Sequence, residues 1–461
     1  MMMKTISPVD GRLYVERTAA TPSHIEYTIE RAHAAQPLWR ALPLAERAAI
    51  LERFCVAFEA RGAEFAHELC WQMGRPIRYA PSEIRGTLER ARYMISIAAS
   101  ALADVDPGAK AGFRRFIRRE PLGIVFTVAA WNYPYLIAIN SVVPALMAGN
   151  AVILKHSAQT PLCADRFAEC FKAAGLPEGV FQVLHLEHAD TERVIRDRRI
   201  DFVAFTGSVA GGHAVQRVAA ERFIGVGLEL GGCDPVYVRH DANVEHAIEN
   251  IVDGAYFNSG QSCCGLQRIY VHESIYERFA KGCVELIRKY RLGDPLDPET
   301  SLGPLVRTAA AEGIRSQVDS SVAAGARPMI DAREFPKSAV GTPYLAPQLL
   351  LDAPPESKVM REEIFGPVAG IAKVHSDAEA VKRMNDSAFG LTAAIWTADE
   401  AAALALGDQV HTGTWFMNRC DYLDPALAWV GVKDSGRGCT LSVVGYEHLT
   451  RPKSFHLRVT L

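Results

Sequence analysis

PLGIVFTVAAWNYPYLIAINSVVPALMAGNAVILK (residues 121–155) holds no charged side chain between Glu120 and Lys155. Such a run is long enough to cross a bilayer. However, Pro121, Pro134 and Pro144 interrupt it, as do Asn132, Asn140 and the Gly149-Asn150 pair. It reads instead as a buried strand, a turn, a buried helix and a second buried strand, and no membrane span is expected.

The same alternation continues downstream. Residues 123–129, 151–154, 181–184 and 202–205 are strand-like, and helical patterns fill 136–148, 162–174 and 191–196. Buried strands alternating with helices predict a parallel α/β sheet of Rossmann type. A second α/β block begins after Gly231-Gly232, with helices expected over 244–256, 274–290 and 309–323. Upstream, the first hundred residues read as helical. Ile50, Leu51, Phe54, Cys55 and Phe58 recur with helical period, Gly74 marks a stop, and another helix runs from near Pro81 toward Ala101. The arginine-dense segment 108–119 suits an exposed strand or projecting arm.

Composition narrows the function classes. The 461 residues are 49% hydrophobic and 22% charged, which excludes disorder over most of the length and predicts two or three domains. With 50 Lys+Arg against 53 Asp+Glu the formal charge is -3, so no nucleic-acid footprint is expected. The N-terminus has no apolar secretory core, and the ten cysteines contain no Cys-x-x-Cys. Neither a disulfide framework nor a metal site is expected, and the reading is a cytoplasmic protein with free thiols.

Four segments carry candidate chemistry. Phe205-Thr206-Gly207-Ser208 leads into Gly211-Gly212, a glycine-rich turn opening a helix whose N–H groups suit a phosphate. It is neither a G-x-G-x-x-G fingerprint nor a P-loop, so a plain strand–helix turn is equally open. Asn258-Ser259-Gly260-Gln261-Ser262-Cys263-Cys264 places a cysteine in a turn where backbone donors favour a thiolate. Cys55, Cys70, Cys163, Cys170 and Cys283 fall in helical apolar patterns and read as inert. Glu229-Leu230-Gly231-Gly232 closes an apolar strand, so Glu229 is either a desolvated base or a solvated strand end. Glu363-Ile364-Phe365-Gly366-Pro367 is either a ribose-binding carboxylate or a surface turn.

Taken together with Trp131-Asn132-Tyr133-Pro134, Lys155, Asn385-Asp386-Ser387-Ala388-Phe389-Gly390-Leu391 and Val432-Lys433-Asp434-Ser435-Gly436-Arg437-Gly438, these segments resemble the aldehyde dehydrogenase superfamily in order and spacing. The resemblance spans about two-thirds of the chain. It implies oxidation of an aldehyde to the acid through a cysteine hemithioacetal and thioester, with hydride passing to NAD or NADP, NAD being favoured. Cys263 would be the nucleophile and Cys264 a bystander. Asn132 and the Cys263 backbone N–H would hold the oxyanion, and Glu229 would be the general base. Trp131, Lys155, Ser157, Gly207, Ser208, Gly212, Leu230, Glu363 and Phe365 would contact the cofactor. A retained Glu229 favours hydrolysis over transfer to coenzyme A. The remaining alternatives are a coenzyme A-acylating dehydrogenase, a succinate-semialdehyde dehydrogenase and a non-catalytic member.

Three departures stand out. Ala158 replaces a glutamate that binds adenosine ribose hydroxyls, which removes repulsion against a 2′-phosphate and leaves His156 or Ser157 as added donors. Ala130 replaces a proline, and Cys233 replaces a lysine. Asn140 occupies the place where succinate-semialdehyde enzymes tend to carry an arginine. A neutral or aromatic aldehyde is therefore expected; Tyr133, Tyr135, Trp415 and Phe416 either line an apolar tunnel or, equally open, pack in the core, and Arg419 and Asp421 near the tunnel mouth could recognise a polar substrate. The expected organisation is α/β throughout. Residues 1–105 with 122–231 would form a Rossmann-type dinucleotide-binding domain, 232–432 an α/β catalytic domain, and 106–121 with 433–461 a bridging arm and tail. The resemblance implies a homodimer or homotetramer.

Overall fold

The chain opens with a hairpin, β1 (Met2–Ile6) and β2 (Leu13–Thr18). The structure is a computed structural model describing residues 2–420 and 422–460. The hairpin departs from the expected all-helical start. Its short strands bury only Thr5 and Val15, so no apolar alternation betrays them. Four helices follow: α1 (Pro22–Ala41), α2 (Leu44–Ala60), α3 (Gly62–Met73) and α4 (Ala80–Ala101). Gly74 ends α3 in the left-handed conformation, as its position predicts.

The uncharged stretch folds as β4 (Ile124–Ala129), α5 (Pro134–Ala148) and β5 (Ala151–His156), preceded by β3 (Phe113–Pro121). Then come α6 (Pro161–Ala173), β6 (Phe181–Val183), α7 (His188–Arg196), β7 (Phe202–Thr206), α8 (Val209–Ala219) and β8 (Gly225–Glu229). These strands are parallel in the order β8-β7-β4-β5-β6. The order reverses between β4 and β7, and ligands of open α/β sheets bind outside the strand ends at such a point. Helices α2 to α6 share one core in which Phe54, Phe58, Phe65, Tyr135 and Phe167 interlock.

The second block comprises β9 (Asp234–Val238), α9 (Val244–Tyr256), β10 (Leu266–His272), α10 (Tyr276–Ile287), α11 (Thr308–Ala323), β11 (Arg327–Pro328), β12 (Gln348–Leu351), α12 (Lys358–Arg361) and β13 (Val368–Val374). It continues through α13 (Asp377–Asn385), β14 (Thr392–Trp396), α14 (Glu400–Gly407) and β15 (Thr414–Met417). Its sheet order is β11-β12-β13-β10-β9-β14-β15.

The last segment returns to the first block. β16 (Gly436–Arg437) pairs antiparallel with β8, setting Gly436 opposite Glu229, and α15 (Ser442–His448) follows. Residues 436–448 therefore join the first block's sheet and helices, whereas the sequence assigned all of 433–461 to the arm and tail. The arm itself is β3 paired antiparallel with β17 (Thr450–Arg458), with Phe116 stacked on Phe455 at 4.5 Å. Among the described residues no helix is long and apolar enough to cross a membrane.

Candidate active site

The loop carrying Cys263 is held in an unusual backbone. Asn258, Ser259 and Gly260 take φ of 54°, 57° and 68°, three successive left-handed residues of which only the last is glycine. Each non-glycine costs on the order of 1–3 kcal/mol and persists only when its surroundings over-determine it. Here they do. Ser259 Oγ donates to the Gly303 carbonyl at 2.8 Å, and Asn258 Nδ2 donates to the carbonyls of Asn132 and Gln261, both at 3.1 Å. Gln261 Nε2 returns to the Asn258 carbonyl at 3.1 Å while its Oε1 accepts from Val306 N at 2.8 Å. A Cβ on Gly260 would lie 2.1 Å from the Gly366 carbonyl oxygen, so no other residue fits.

Arg75, buried to 1% exposure, ties this loop to the rest of the site. Its Nε donates to Asn258 Oδ1 at 3.1 Å, Nη2 to the Asn132 carbonyl at 2.6 Å, and Nη1 to Glu83. Glu83 Oε1 in turn accepts from Tyr135 N at 2.8 Å, in the first turn of α5. One buried ion pair thus registers α4, α5 and the cysteine loop against each other. Neither residue was singled out by motif. The available signal was a charge on the buried face of α4, where Glu83, Thr87, Arg90 and Met94 follow helical spacing.

The Cys263 thiol lies where two cavities meet. One, of about 240 Å³, is lined by Trp131, Asn132, Ser208, Glu363, Phe365 and Cys263 among others. The other, of about 360 Å³, is lined by Arg90, Tyr133, Leu136, Glu229, Cys263 and Trp429 among others. Cys263 is half-buried, whereas Cys264 is buried. A hydrogen bond to Cys264 and desolvation push the Cys263 thiol above its ordinary range.

Glu229 ends β8 in the wall of the larger cavity. Burial raises its pKa, against hydrogen bonds from Thr440 and Thr206 and the charge of Arg90. Thr440 Oγ1 donates to Oε1 at 2.6 Å and Thr206 Oγ1 to Oε2 at 3.3 Å. Glu229 also borders a smaller cavity of about 30 Å³, which is volume enough for a water molecule. Thr206 falls inside the Phe205–Ser208 segment and reaches Glu229 across the β7–β8 pair, whereas Thr440 had no motif-level signal, because it reaches Glu229 only once β16 folds back on β8.

The smaller cleft presents donors and acceptors that fit a dinucleotide. Ser208 caps α8 by accepting from Gly211 N at 3.2 Å, leaving the first N–H groups of that helix facing the strand ends. Glu363 Oε1 accepts from Gly232 N at 3.0 Å, and burial pushes its pKa up to about 7. A Cβ on Gly231 would fall 2.3 Å from Glu363 Oε2, so the glycine makes room for that carboxylate. Phe365, at φ 56°, meets Trp131 edge-on at 5.6 Å, and Leu230 and Gly207 complete the lining.

Not every expected contact reaches this cleft. Gly212 lies beneath it, where a Cβ would sit 2.7 Å from Leu230, so its smallness serves helix–strand packing. Lys155 and Ser157 lie at and just beyond the end of β5, outside the cleft's lining. His156 cannot serve a cofactor. It is buried at 1% exposure, its Nδ1 accepts from Ser157 N, its Nε2 meets the Pro134 carbonyl at 3.1 Å, and desolvation lowers its pKa to about 4. Cys233 is buried beside Gln267 Nε2 at 3.2 Å.

The four aromatics divide between cavity and core. Of them only Tyr133 lines the larger cavity. Tyr135 is sealed among Phe58, Phe65 and Phe167, and Trp415 donates to the Ala403 carbonyl, whereas Phe416 lines a separate cavity of about 100 Å³ with Arg419, Tyr422 and Trp429. Leu136, Ile137, Phe257, Tyr422 and Trp429 take their place. Arg419 stacks over Tyr422 at 4.4 Å, and Asp421 lies outside the described residues.

Comparison with known proteins agrees with this architecture. A sequence profile described as the aldehyde dehydrogenase family matches residues 1–455. The succinate-semialdehyde dehydrogenase of Mycobacterium avium (strain 104), whose name specifies NADP(+), is 34% identical over 457 residues, covering 98% of this chain and 96% of that protein. Its Mycobacterium tuberculosis (strain H37Rv) counterpart is 32% identical, covering 98% and 99%. Among solved structures, succinic semialdehyde dehydrogenase from Streptococcus pyogenes in complex with NADP+ superposes with a TM-score of 0.94 at 27% identity, covering 99% of this chain and 100% of that one. PnpE in complex with nicotinamide adenine dinucleotide gives 0.96 at 28%, covering 100% and 95%. The chain belongs to the aldehyde dehydrogenase family.

Proposed function

We propose that this chain oxidises an aldehyde to its carboxylic acid with NAD or NADP, Cys263 forming first a hemithioacetal and then a thioester. The supporting observation is the position of the thiol, shared between a cleft with dinucleotide-binding chemistry and a cavity walled by Glu229. Asn132 Nδ2 donates to the Gln261 carbonyl at a long 3.3 Å, which leaves its second N–H for an oxyanion on the aldehyde carbon. The backbone N–H of Cys263 is the second donor. A bound nicotinamide dinucleotide supplies the hydride acceptor. Glu229, with its raised pKa, takes a proton from the water that cleaves the Cys263 thioester, and the acid leaves.

Around the cofactor, Glu363 binds ribose hydroxyls, Ser208 and Gly207 shape the pyrophosphate turn, and Trp131, Leu230 and Phe365 wall the cleft. Gly212 lets α8 sit close against Leu230. Lys155 and Ser157 take the adenosine ribose, where Ala158 offers no carboxylate to repel a 2′-phosphate. Residues 2–105 with 122–231 form the dinucleotide-binding domain, 232–432 the catalytic domain, and 433–449 rejoin the first. Segments 106–121 and 450–460 form an arm that pairs with further copies in a homodimer or homotetramer. Ten free cysteines fit a reducing cytoplasm.

The test is a panel of aldehydes assayed with each cofactor, with Cys263→Ala as control. Reduced nicotinamide from the wild type alone is expected. Turnover by Cys263→Ala would move the nucleophile elsewhere, and product formed only with coenzyme A would make the protein an acylating dehydrogenase.

A further inference from the structure

The larger cavity holds a buried guanidinium, Arg90, that Glu229 and Glu89 influence through space but that neither carboxylate contacts as an ion pair. Arg75 is consumed by Glu83 and the loop carbonyls, and Glu89 accepts from Tyr422 Oη at 2.6 Å rather than from an arginine. Arg90, on the buried face of α4 with 9% exposure, has only neutral partners. Its Nη1 donates to Asn140 Oδ1 at 3.1 Å and to the Leu136 carbonyl at 3.3 Å. Among the described residues no carboxylate lies within ion-pair distance of it, nor of Arg85, which is exposed on the same cavity's lining. A buried cation normally has an anionic partner, because desolvation is otherwise uncompensated. A guanidinium is the group best shaped to take a carboxylate through two parallel hydrogen bonds.

We infer that Arg90 is the anchor for the anionic far end of the substrate, and that the substrate class is an aldehyde carrying a carboxylate at its other end. This rests on the oxidation proposed at Cys263. Asn140 is the residue whose neutrality led the sequence to suggest an uncharged aldehyde. In the fold its side-chain oxygen orients a guanidinium delivered from α4, so the charge arrives from a different helix. Leu136, Ile137 and Trp429 supply the apolar walls along which the methylene chain lies. Glu229 shares the cavity and repels an anion, so the carboxylate belongs at the arginine side and the carbonyl at the thiol.

The test compares kcat/KM for succinate semialdehyde and for butanal, which share a four-carbon chain and differ in the terminal carboxylate. Wild type is expected to favour the acid by at least about tenfold, and Arg90→Met to cut that ratio by at least about tenfold, mostly through KM for the acid. Arg90→Lys should keep part of the preference. A ratio unmoved by Arg90→Met would overturn the assignment, as would an equal loss on both aldehydes, the result expected if Arg90 acts only as a counter-charge to Glu229. Should Arg90→Met fail to fold, wild type assayed with succinate semialdehyde and its methyl ester decides: preference for the free acid supports the anchor, and no preference overturns it. Oxidation of butanal without preference for the acid removes the anchor alone. No oxidation of any aldehyde with either cofactor removes the reading beneath it.

Discussion

Thr440 donates its hydroxyl to Glu229 Oε1 at 2.6 Å across a separation of 211 residues. The bond forms because β16 lies against β8 and delivers Thr440 to the carboxylate just after Arg437. Burial opposes the charged form of Glu229 and this bond favours it. The two threonines therefore set where the carboxylate points and at what pH it becomes a base.

Thr440→Val should raise the Glu229 pKa further, since it removes a donor to the ionised form. A base must be ionised, so activity is lost as pH falls through the folded pKa, and the variant's limb should move toward alkaline pH. At neutral pH kcat should fall on the order of tenfold, the scale of one hydrogen bond to a charged group. Thr440→Ser should restore the profile, and the first-turnover burst of reduced nicotinamide should persist in both. A pH–rate profile superimposable on wild type would refute this role.

Asn132→Ala tests the oxyanion site. The backbone carbonyl of Asn132, not its side chain, receives Arg75 and Asn258, so the loop scaffold survives the change. We expect kcat to drop by roughly 2.7–4 kcal/mol of transition-state stabilisation, the usual cost of one oxyanion donor, with little change in melting temperature. A kcat within a factor of about three of wild type would remove the side chain from the chemistry.

Glu363 should make cofactor affinity depend on pH. Its carboxyl titrates at about 7, and the ionised form is the better acceptor for ribose hydroxyls. Affinity for NADP+ should therefore rise as pH climbs through that value and flatten in Glu363→Gln. Fluorescence titration across the window is the measurement, and a flat wild-type profile contradicts the assignment.

Asp234 carries a stability prediction. It is fully buried beneath the Gly231-Gly232 turn, Thr392 satisfies Oδ2, Oδ1 has no partner, and desolvation pushes its pKa up to about 8. An acid whose folded pKa is raised contributes stability that is present below its unfolded pKa and lost as pH rises through the folded value. Asp234→Asn should melt higher than wild type above about 8 and gain least in acid. Equal shifts in melting temperature at both ends would show that the aspartate does not titrate as described.

The arm predicts assembly. Phe116 and Phe455 stack on a two-stranded sheet; among the described residues its β17 edge has no strand partner, and its β3 edge is bridged only by Val105 at Ile117 and by Lys110 at Phe113. Light scattering should give a dimer or tetramer, and Phe116→Asp with Phe455→Asp should shift the mass toward the monomer. A monomeric wild type at micromolar concentration would exclude the arm as a bridge.

Much of this site could be read in the sequence because it depends on local chemistry. The uncharged run from Pro121 gave strand, helix and strand in order, and 244–256 was placed to the residue, since apolar periodicity and turn residues are short-range signals. Arg75 and Thr440 carried no signal, and Arg90 showed only its helical spacing with Glu83 and Thr87. Each matters through a partner distant in sequence, and an arginine within a helix looks like surface until the helix's neighbours are known. The choice between tunnel and core for the four aromatics stayed open for the converse reason: Tyr133 and Phe416 line cavities while the other two do not. Tyr135 and Trp415 are apolar enough to line a cavity, but only the packing of Phe58 and Ala403 reveals that they are sealed away. The N-terminal hairpin was missed because its strands cover too little apolar surface to alternate.

The late arrival of Thr440 bears on synthesis at the ribosome. A nascent chain that has already exposed its thiol, its oxyanion amide and its glutamate still lacks the strand that closes the β8 edge and clamps that glutamate. Premature termination before Gly436 would leave the β8 edge open and strip Leu441, Tyr446 and Leu449 from the first block's core along with the Thr440 hydroxyl.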